Sequence, residues 1–401
     1  MRSYLRSLAV TALALSLFVV GFAFAVDPYD YWNAPKFAGF NLIKPFVGKH
    51  INDVKSRQYL RVLPRTLVAG NSRVEVGFDT ESPAWPESFR PVYNLGLPGK
   101  PFTQLVQIAI HLMARQKPQQ LILGLDFFDF RVPAREWRGF DGKLPPPKDF
   151  PPGELRLQTV EQTLFSRDAL ADSVLAVAWQ WRRFPPNTTP GGYYGWNDFE
   201  YAIADKGVGV IFAAGDQARF TTLLRPEKSR WQMPGGNNND LALKKIIDYC
   251  DRSGIKLTLF IYPYHSDLLE GIYLTGRWKD FEDWKRRLVE IANRAGLGLW
   301  DFSQYNEITT EPIPQMNDLS ARLRWFLDSG HFNSKVGDRL ISLMSGRDQS
   351  GSRLGTKIDG GNIDLHLAKI RDQRQRYLVD RPADAERISK LVAAARRGFG
   401  H

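Results

Sequence analysis

The sequence predicts an α/β protein, a three-layer α/β/α arrangement whose parallel sheet has about five strands. Three observations predict it. Short, continuously apolar or β-branched runs recur along the chain, and segments with apolar residues at helical spacing separate them. Strands joined by helices pair in parallel through right-handed crossovers, which covers both faces of one sheet. The first of these runs ends abruptly in turn residues, Gly70-Asn71-Ser72, and ligands collect beyond the carboxyl ends of parallel strands.

The first element, residues 1–26, is a targeting or anchoring segment. Arg2 and Arg6 precede an apolar run from Leu8 to Val26, near the ~20 residues that span a bilayer, with the basic flank on the side expected to stay cytoplasmic. Ala23-Phe24-Ala25 also fits a signal-peptidase site, so an uncleaved anchor competes with a cleaved signal peptide, and either exports the body. Residues 27–64 are aromatic and mixed, and their rings fit either the sheet or the membrane face.

The α/β body is expected over residues 27–346. Its first strand covers 66–69, and Arg90 to Gly96 reads as a second, short strand. Leu105, Val106, Ile108, Ala109, Leu112 and Met113 give a crossover helix over 101–116, and 119–130 is a third strand ending near Asp126 and Asp129. Residues 131–240 break the alternation with prolines, tryptophans and glycines and read as an insertion or cap. Its aromatic residues can stack on sugar rings or form the cap's own core. Leu170 to Trp181 has the spacing of a buried helix, and Asn187-Thr-Thr fits a glycosylation sequon. The alternation resumes with a helix at 241–253, a strand at 255–262, a helix at 281–295, a strand at 297–302 and a closing helix after Asn333. From about Arg347 the chain is polar, basic and partly helical, which predicts a C-terminal tail, solvated or docking.

The chemistry-bearing residues are few. Ser72 sits at a strand tip, where it serves as a nucleophile or as an ordinary turn residue. Asp328 and His331 stand three apart on the loop before the closing helix, the residue types needed to deprotonate a serine and orient the imidazole. Arg73 beside the nucleophile either holds an anionic substrate group or pairs with Glu75 or Asp79. His265, in Tyr262-Pro-Tyr-His265 at the end of the fourth strand, either reaches substrate or is a turn residue. His111 reads as an ordinary helix histidine and the single Cys250 as a packing residue.

These blocks resemble the SGNH (GDSL-like) hydrolase superfamily, particularly its membrane-anchored extracytoplasmic branch of alginate O-acetylation and teichoic-acid D-alanylation proteins. Gly70-Asn71-Ser72 resembles the first block, Gly-Asp-Ser, with Asn71 in place of Asp. Tyr93-Asn94-Leu-Gly96-Leu-Pro-Gly99 looks like the second, in which the resemblance gives Gly96 a backbone N–H for the oxyanion and brings Asn94 to the substrate side. Asp328-Ser-Gly-His331 matches the last block. The third block should read Gly-x-Asn, yet Gly124-Leu125-Asp126 puts a carboxylate where an oxyanion donor, normally worth about 3–4 kcal/mol, is expected. The resemblance implies a flavodoxin-like strand order and a Ser72–His331–Asp328 acyl-transfer centre.

Composition limits the surroundings. The 401 residues are 43% hydrophobic and 24% charged, a globular balance, and one cysteine excludes an intrachain disulfide framework. A formal charge of +11 favours anionic surroundings such as lipid headgroups or an acidic polymer, and no nucleic-acid signature appears. No metal or cofactor pattern appears either; the glycine-rich pieces lack both the P-loop lysine and the dinucleotide spacing. The resemblance implies a serine O-acyltransferase or esterase acting on small acyl groups, O-acetyl among them, of an exopolysaccharide or cell-envelope polymer, and the exported position and basic charge agree with it. A membrane-bound acyl-donor protein is an implied partner. The competing classes are a catalytically inactive polysaccharide-binding or assembly protein on the same scaffold and a membrane-tethered structural protein.

Overall fold

The computed structural model describes residues 1–133, 157–184, 188–225, 229–231, 236–316, 318–348 and 354–398. The sequon residue Asn187 lies outside them. The chain opens with a helix α1 (Arg2–Val26) and α2 (Ile51–Val62), followed by β1 (Thr66–Gly70), α3 (Ser72–Gly77), β2 (Val92–Gly96), α4 (Phe102–Arg115) and β3 (Gln120–Leu125). The insertion follows, with β4 (Val132–Pro133), α5 (Leu157–Val160), α6 (Arg167–Ala178), α7 (Asn197–Lys206), α8 (Val208–Leu223) and β5 (Ser229–Arg230). The body resumes with α9 (Asn238–Ser253), β6 (Lys256–Ile261), α10 (Ser266–Leu274), α11 (Trp278–Asn293), β7 (Leu299–Asp301) and α12 (Ser334–Met344), and β8 (Thr356–Ile358), α13 (Ile363–Asp380) and α14 (Pro382–Arg397) complete it.

The main sheet has six strands in the order β2-β1-β3-β6-β7-β8, with all pairs parallel except β7–β8. The chain steps from β1 to β2 in one direction and then from β2 to β3, β6 and β7 in the other. With right-handed crossovers, that reversal places α3 on one face and α4, α9 and α11 on the opposite face. β1, β2 and β3 are buried along their whole length, which is why they read as unbroken apolar runs rather than alternating ones.

Three expectations change. The sheet has six strands, not five, because the segment read as a basic tail supplies β8 at the edge of the sheet. Its helices also pack inward: Leu367, Ile370, Ile388 and Val392 are buried, and α14 lies against α8 and α10. Charge and glycine content concealed this, since only one stripe of each helix is apolar. Third, the outward face of the Leu170–Trp181 helix is exposed rather than buried.

Part of the insertion's aromatic content is core. Trp231 stacks on Phe127 with ring centroids 4.7 Å apart, while the Gly191-Gly192 turn packs on the β2 edge, where Asn94 N donates to Gly191 O at 2.8 Å.

Candidate active site

Ser72 is the first residue of α3, one step beyond the carboxyl end of β1. The turn is made by Asn71, whose side-chain oxygen caps the helix by accepting from Arg73 N at 3.0 Å. That cap leaves Ser72 N–H without an acceptor among the described residues. The Asp328–His331 loop folds over the same edge, where Phe326 and Phe332 bridge and Asn333 caps α12 through Lys335 N.

Ser72 and His331, 259 residues apart, meet here. Ser72 Oγ lies 2.8 Å from His331 Nε2, and His331 Nδ1 lies 2.9 Å from Asp328 Oδ2. The other Asp328 oxygen accepts from Gly330 N at 2.7 Å and from His331 N at 2.8 Å, which fixes the carboxylate. With its Nδ1–H directed at Asp328, the imidazole presents Nε2 to the hydroxyl, the tautomer required of a general base.

Electrostatics suit that role. Burial works against the Asp328 charge, yet His331, the Arg219 guanidinium and the Gly330 N–H hold it well below the usual carboxylate range. For His331, burial lowers the imidazole below its ordinary value; Asp328 pulls it back up, while Arg73 and Arg219 press it down. A base that stays neutral at pH 7 results.

Arg219 was not singled out from the sequence. It comes from α8 in the insertion, and its Nη2 lies 3.0 Å from both Asp328 oxygens while Nη1 donates to Ser329 Oγ at 3.1 Å. The ring of Phe199, also in the insertion, packs on His331 with centroids 5.2 Å apart. The cap is thus part of the site. A lone arginine on an apolar helix carries no motif, so the sequence held no sign of this contact.

The remaining predicted residues serve the scaffold. Arg73 is buried: it pairs with Asp126, donates from Nε to Gly330 O at 2.5 Å, and lies over the rings of Tyr262 and Tyr264. It ties the nucleophile helix to the histidine loop. Asn94, fully buried, donates to the Val74 and Phe78 carbonyls at 2.8 Å each. Its oxygen accepts from Gly96 N at 2.8 Å, so the Gly96 N–H already has a partner within the protein. Gly96 is glycine for packing, because a Cβ there would meet Glu75 N at 2.3 Å. In the same loop Gly99, at φ +66, is exposed. His265 is buried with both ring nitrogens engaged, one at 2.8 Å from Glu311 O and the other accepting from Asp267 N at 3.2 Å, so it caps α10.

Asp126 accepts hydrogen bonds and pairs with a cation. It lies under the nucleophile turn, where it accepts from Asn71 Nδ2 at 2.7 Å, Tyr264 Oη at 2.5 Å and Phe128 N at 3.1 Å, besides pairing with Arg73. Asn71 Nδ2 also donates to Asp129 at 3.0 Å, whose carboxyl burial pushes up to about 6 against the pull of Arg73 and Asn71. An aspartate at position 71 would be a third carboxylate with no proton to donate; the amide fits because its neighbours are acids.

A cleft of about 910 Å³ lies elsewhere, lined by Tyr305, Arg339, Lys369, Arg376 and Arg381 among others, and none of the triad residues belongs to it. Compared with known proteins, the chain matches no family model, no curated protein and no solved structure.

Proposed function

We propose that this chain is a membrane-anchored, exported serine acyltransferase or esterase of the SGNH type, acting on small acyl groups of an exopolysaccharide or cell-envelope polymer. The observation that carries the reading is the Ser72–His331–Asp328 relay, with contacts of 2.8 and 2.9 Å at the carboxyl edge of a parallel sheet. Support for the SGNH assignment comes from the strand order: among the parallel strands it is 2-1-3-4-5, the flavodoxin-like order. Further support comes from the two departures from the resembled pattern. Asn71 and Asp126, 2.7 Å apart, amount to one exchange of an acid and an amide between touching positions.

In the proposed reaction Ser72 Oγ attacks the acyl carbonyl carbon while His331 Nε2 takes the hydroxyl proton. The tetrahedral oxyanion is met by the Ser72 N–H at the start of α3. Collapse breaks the bond to the departing alcohol, which receives the proton from Nε2 and leaves an acyl-serine. An acceptor hydroxyl, water or sugar, then repeats the sequence in reverse. The basic surface and the exported position favour an anionic polymer acceptor, with a membrane-bound acyl-donor protein as partner.

A second reading, an inactive polysaccharide-binding or assembly protein on the same scaffold, is favoured by the occupied Gly96 N–H and by Asp126 at an amide position. The full chain in detergent or nanodiscs, treated with a fluorophosphonate probe and with p-nitrophenyl acetate, separates the two. Labelling and hydrolysis lost in Ser72→Ala and His331→Ala support the enzyme. A folded wild type that neither labels nor hydrolyses supports the binding protein.

A further inference from the structure

Helix α6 is amphipathic in the wrong sense for a water-soluble domain. Its inward face carries Asp172 and Ser173 between Ala169 and Ala176, all buried, and Asp172 is held there by Tyr29 Oη at 2.7 Å and Lys49 Nζ. Its outward face from residue 170 onward is wholly apolar: Leu170, Ala171, Val174, Leu175 and Ala178, continued by Trp181 in the following turn. Val174 is 55% exposed, Leu175 44% and Trp181 73%. Helices facing water show the opposite pattern.

This face is continuous with α1. The 25 residues of α1 span about 37 Å at 1.5 Å per residue, more than the ~30 Å hydrocarbon core, and they are apolar enough to cross it. α1 packs on α6 and on the short helical turn before it, and its burial is confined to the last two turns, Val19 to Val26. The junction is tied by hydrogen bonds. Asn41 Nδ2 donates to Ala25 O at 2.7 Å and Lys44 Nζ to Val26 O at 2.8 Å; the Asp27 N–H caps the end by donating to Ala23 O, and its carboxylate accepts from Tyr31 N and Trp32 N in the loop that follows. The loop making these bonds also joins the end of α6 through reciprocal Ile43–Gln180 hydrogen bonds, and it exposes Phe37 and Leu42. Arg182, over the Trp179 ring at 4.5 Å, and Arg183 follow immediately. A tryptophan–arginine border beside an apolar face is the composition of a membrane–water interface.

We infer that the outward face of α6, with Phe37 and Leu42, is seated in the interfacial region of the bilayer beside the emerging end of α1, so that the protein is held by a spanning helix and a second, in-plane contact. The inference rests on the reading that α1 spans the membrane. A single helix leaves the body free to swivel; a second contact on the same insertion that supplies Arg219 fixes how the Ser72 edge faces the membrane.

The test uses the full chain in phosphatidylcholine–phosphatidylglycerol vesicles, with one nitroxide attached at Leu175→Cys, Val174→Cys, Leu13→Cys or Lys279→Cys in separate samples. Cys250 is buried, its thiol pushed up to about 12, and escapes labelling. Collision with oxygen is compared with collision with a water-soluble nickel chelate, and unaltered thermal unfolding certifies each variant. Labels at 174 and 175 are expected to be oxygen-rich and nickel-poor, with a ratio several-fold above that at 279 and below that of the α1 label at 13, which lies deeper in the hydrocarbon. Nickel access at 174 and 175 with 13 still in lipid overturns the inference and leaves the face to a protein partner. Nickel access at 13 as well removes the anchor, and the inference falls with it.

Discussion

Nη2 of Arg219 sits 3.0 Å from both carboxylate oxygens of Asp328, bonding the cap helix α8 directly to the acid of the Ser72–His331–Asp328 relay. The contact does two opposing things. It secures the carboxylate that orients His331, and it sets a positive charge 3.4 Å from His331 Nδ1 that discourages protonation of the ring.

Replacing Arg219 by Met is therefore expected to lower kcat/KM roughly 10- to 100-fold, the equivalent of a charge-assisted hydrogen bond of about 1.5–3 kcal/mol. The pH profile gives the more specific readout. In the proposed reaction His331 must be neutral to act, so activity is expected to fall as pH drops through its pKa, which lies below the ordinary imidazole value. Removing the neighbouring positive charge raises that pKa, and the acid limb should move to higher pH. A loss of rate with an unmoved acid limb would show that Arg219 only holds the cap in place.

The Arg73–Asp126 pair makes a stability prediction. Both side chains are almost fully buried, so Asp126→Asn removes the ion-pair partner of Arg73 and leaves it only the neighbouring Asp129, whose own charge burial disfavours. Either Arg73→Met or Asp126→Asn alone is expected to cost about 3–5 kcal/mol in urea unfolding, and the double variant much less than the sum. Simple additivity would refute the coupling.

At the other end of the sheet, Asp301 accepts from Lys285 Nζ at 2.7 Å and from His366 Nε2 at 2.9 Å, which pins α13 to β7. Burial disfavours the Asp301 charge, but Lys285 and His366 outweigh it and hold the carboxyl below its usual value. A carboxyl with a lowered folded pKa contributes stability above its unfolded value, about 3.9, and loses it as pH falls through the folded value. Asp301→Asn should thus destabilise the protein at pH 7 and progressively less toward pH 3. Hydrogen exchange should speed up first in α13 and α14; uniform acceleration would contradict a local latch.

The order of strands and helices was legible because a parallel sheet buries its strands on both faces, which leaves apolar runs that no tertiary information is needed to see. Ser72, Asp328 and His331 were legible for a related reason. Each stands where local turn or cap chemistry ends an element, and short-range rules govern such positions. The inverted face of α6 was misread because periodicity reports that a helix has an apolar side, not what that side meets.

By itself, then, the sequence determined the alternation that builds the sheet, the apolar leading helix and the residue types of the relay, all set by spacing along the chain. Only the tertiary structure decided that Arg219, 109 positions from Asp328, grips the relay. It also decided that Asn71 and Asp126 act as one unit, that the Gly96 N–H is spent on Asn94, and that the basic C-terminal segment closes the sheet. Each of these depends on which side chains meet through space, and burial changes the meaning of a charge or a polar group in a way that its neighbours in sequence do not record.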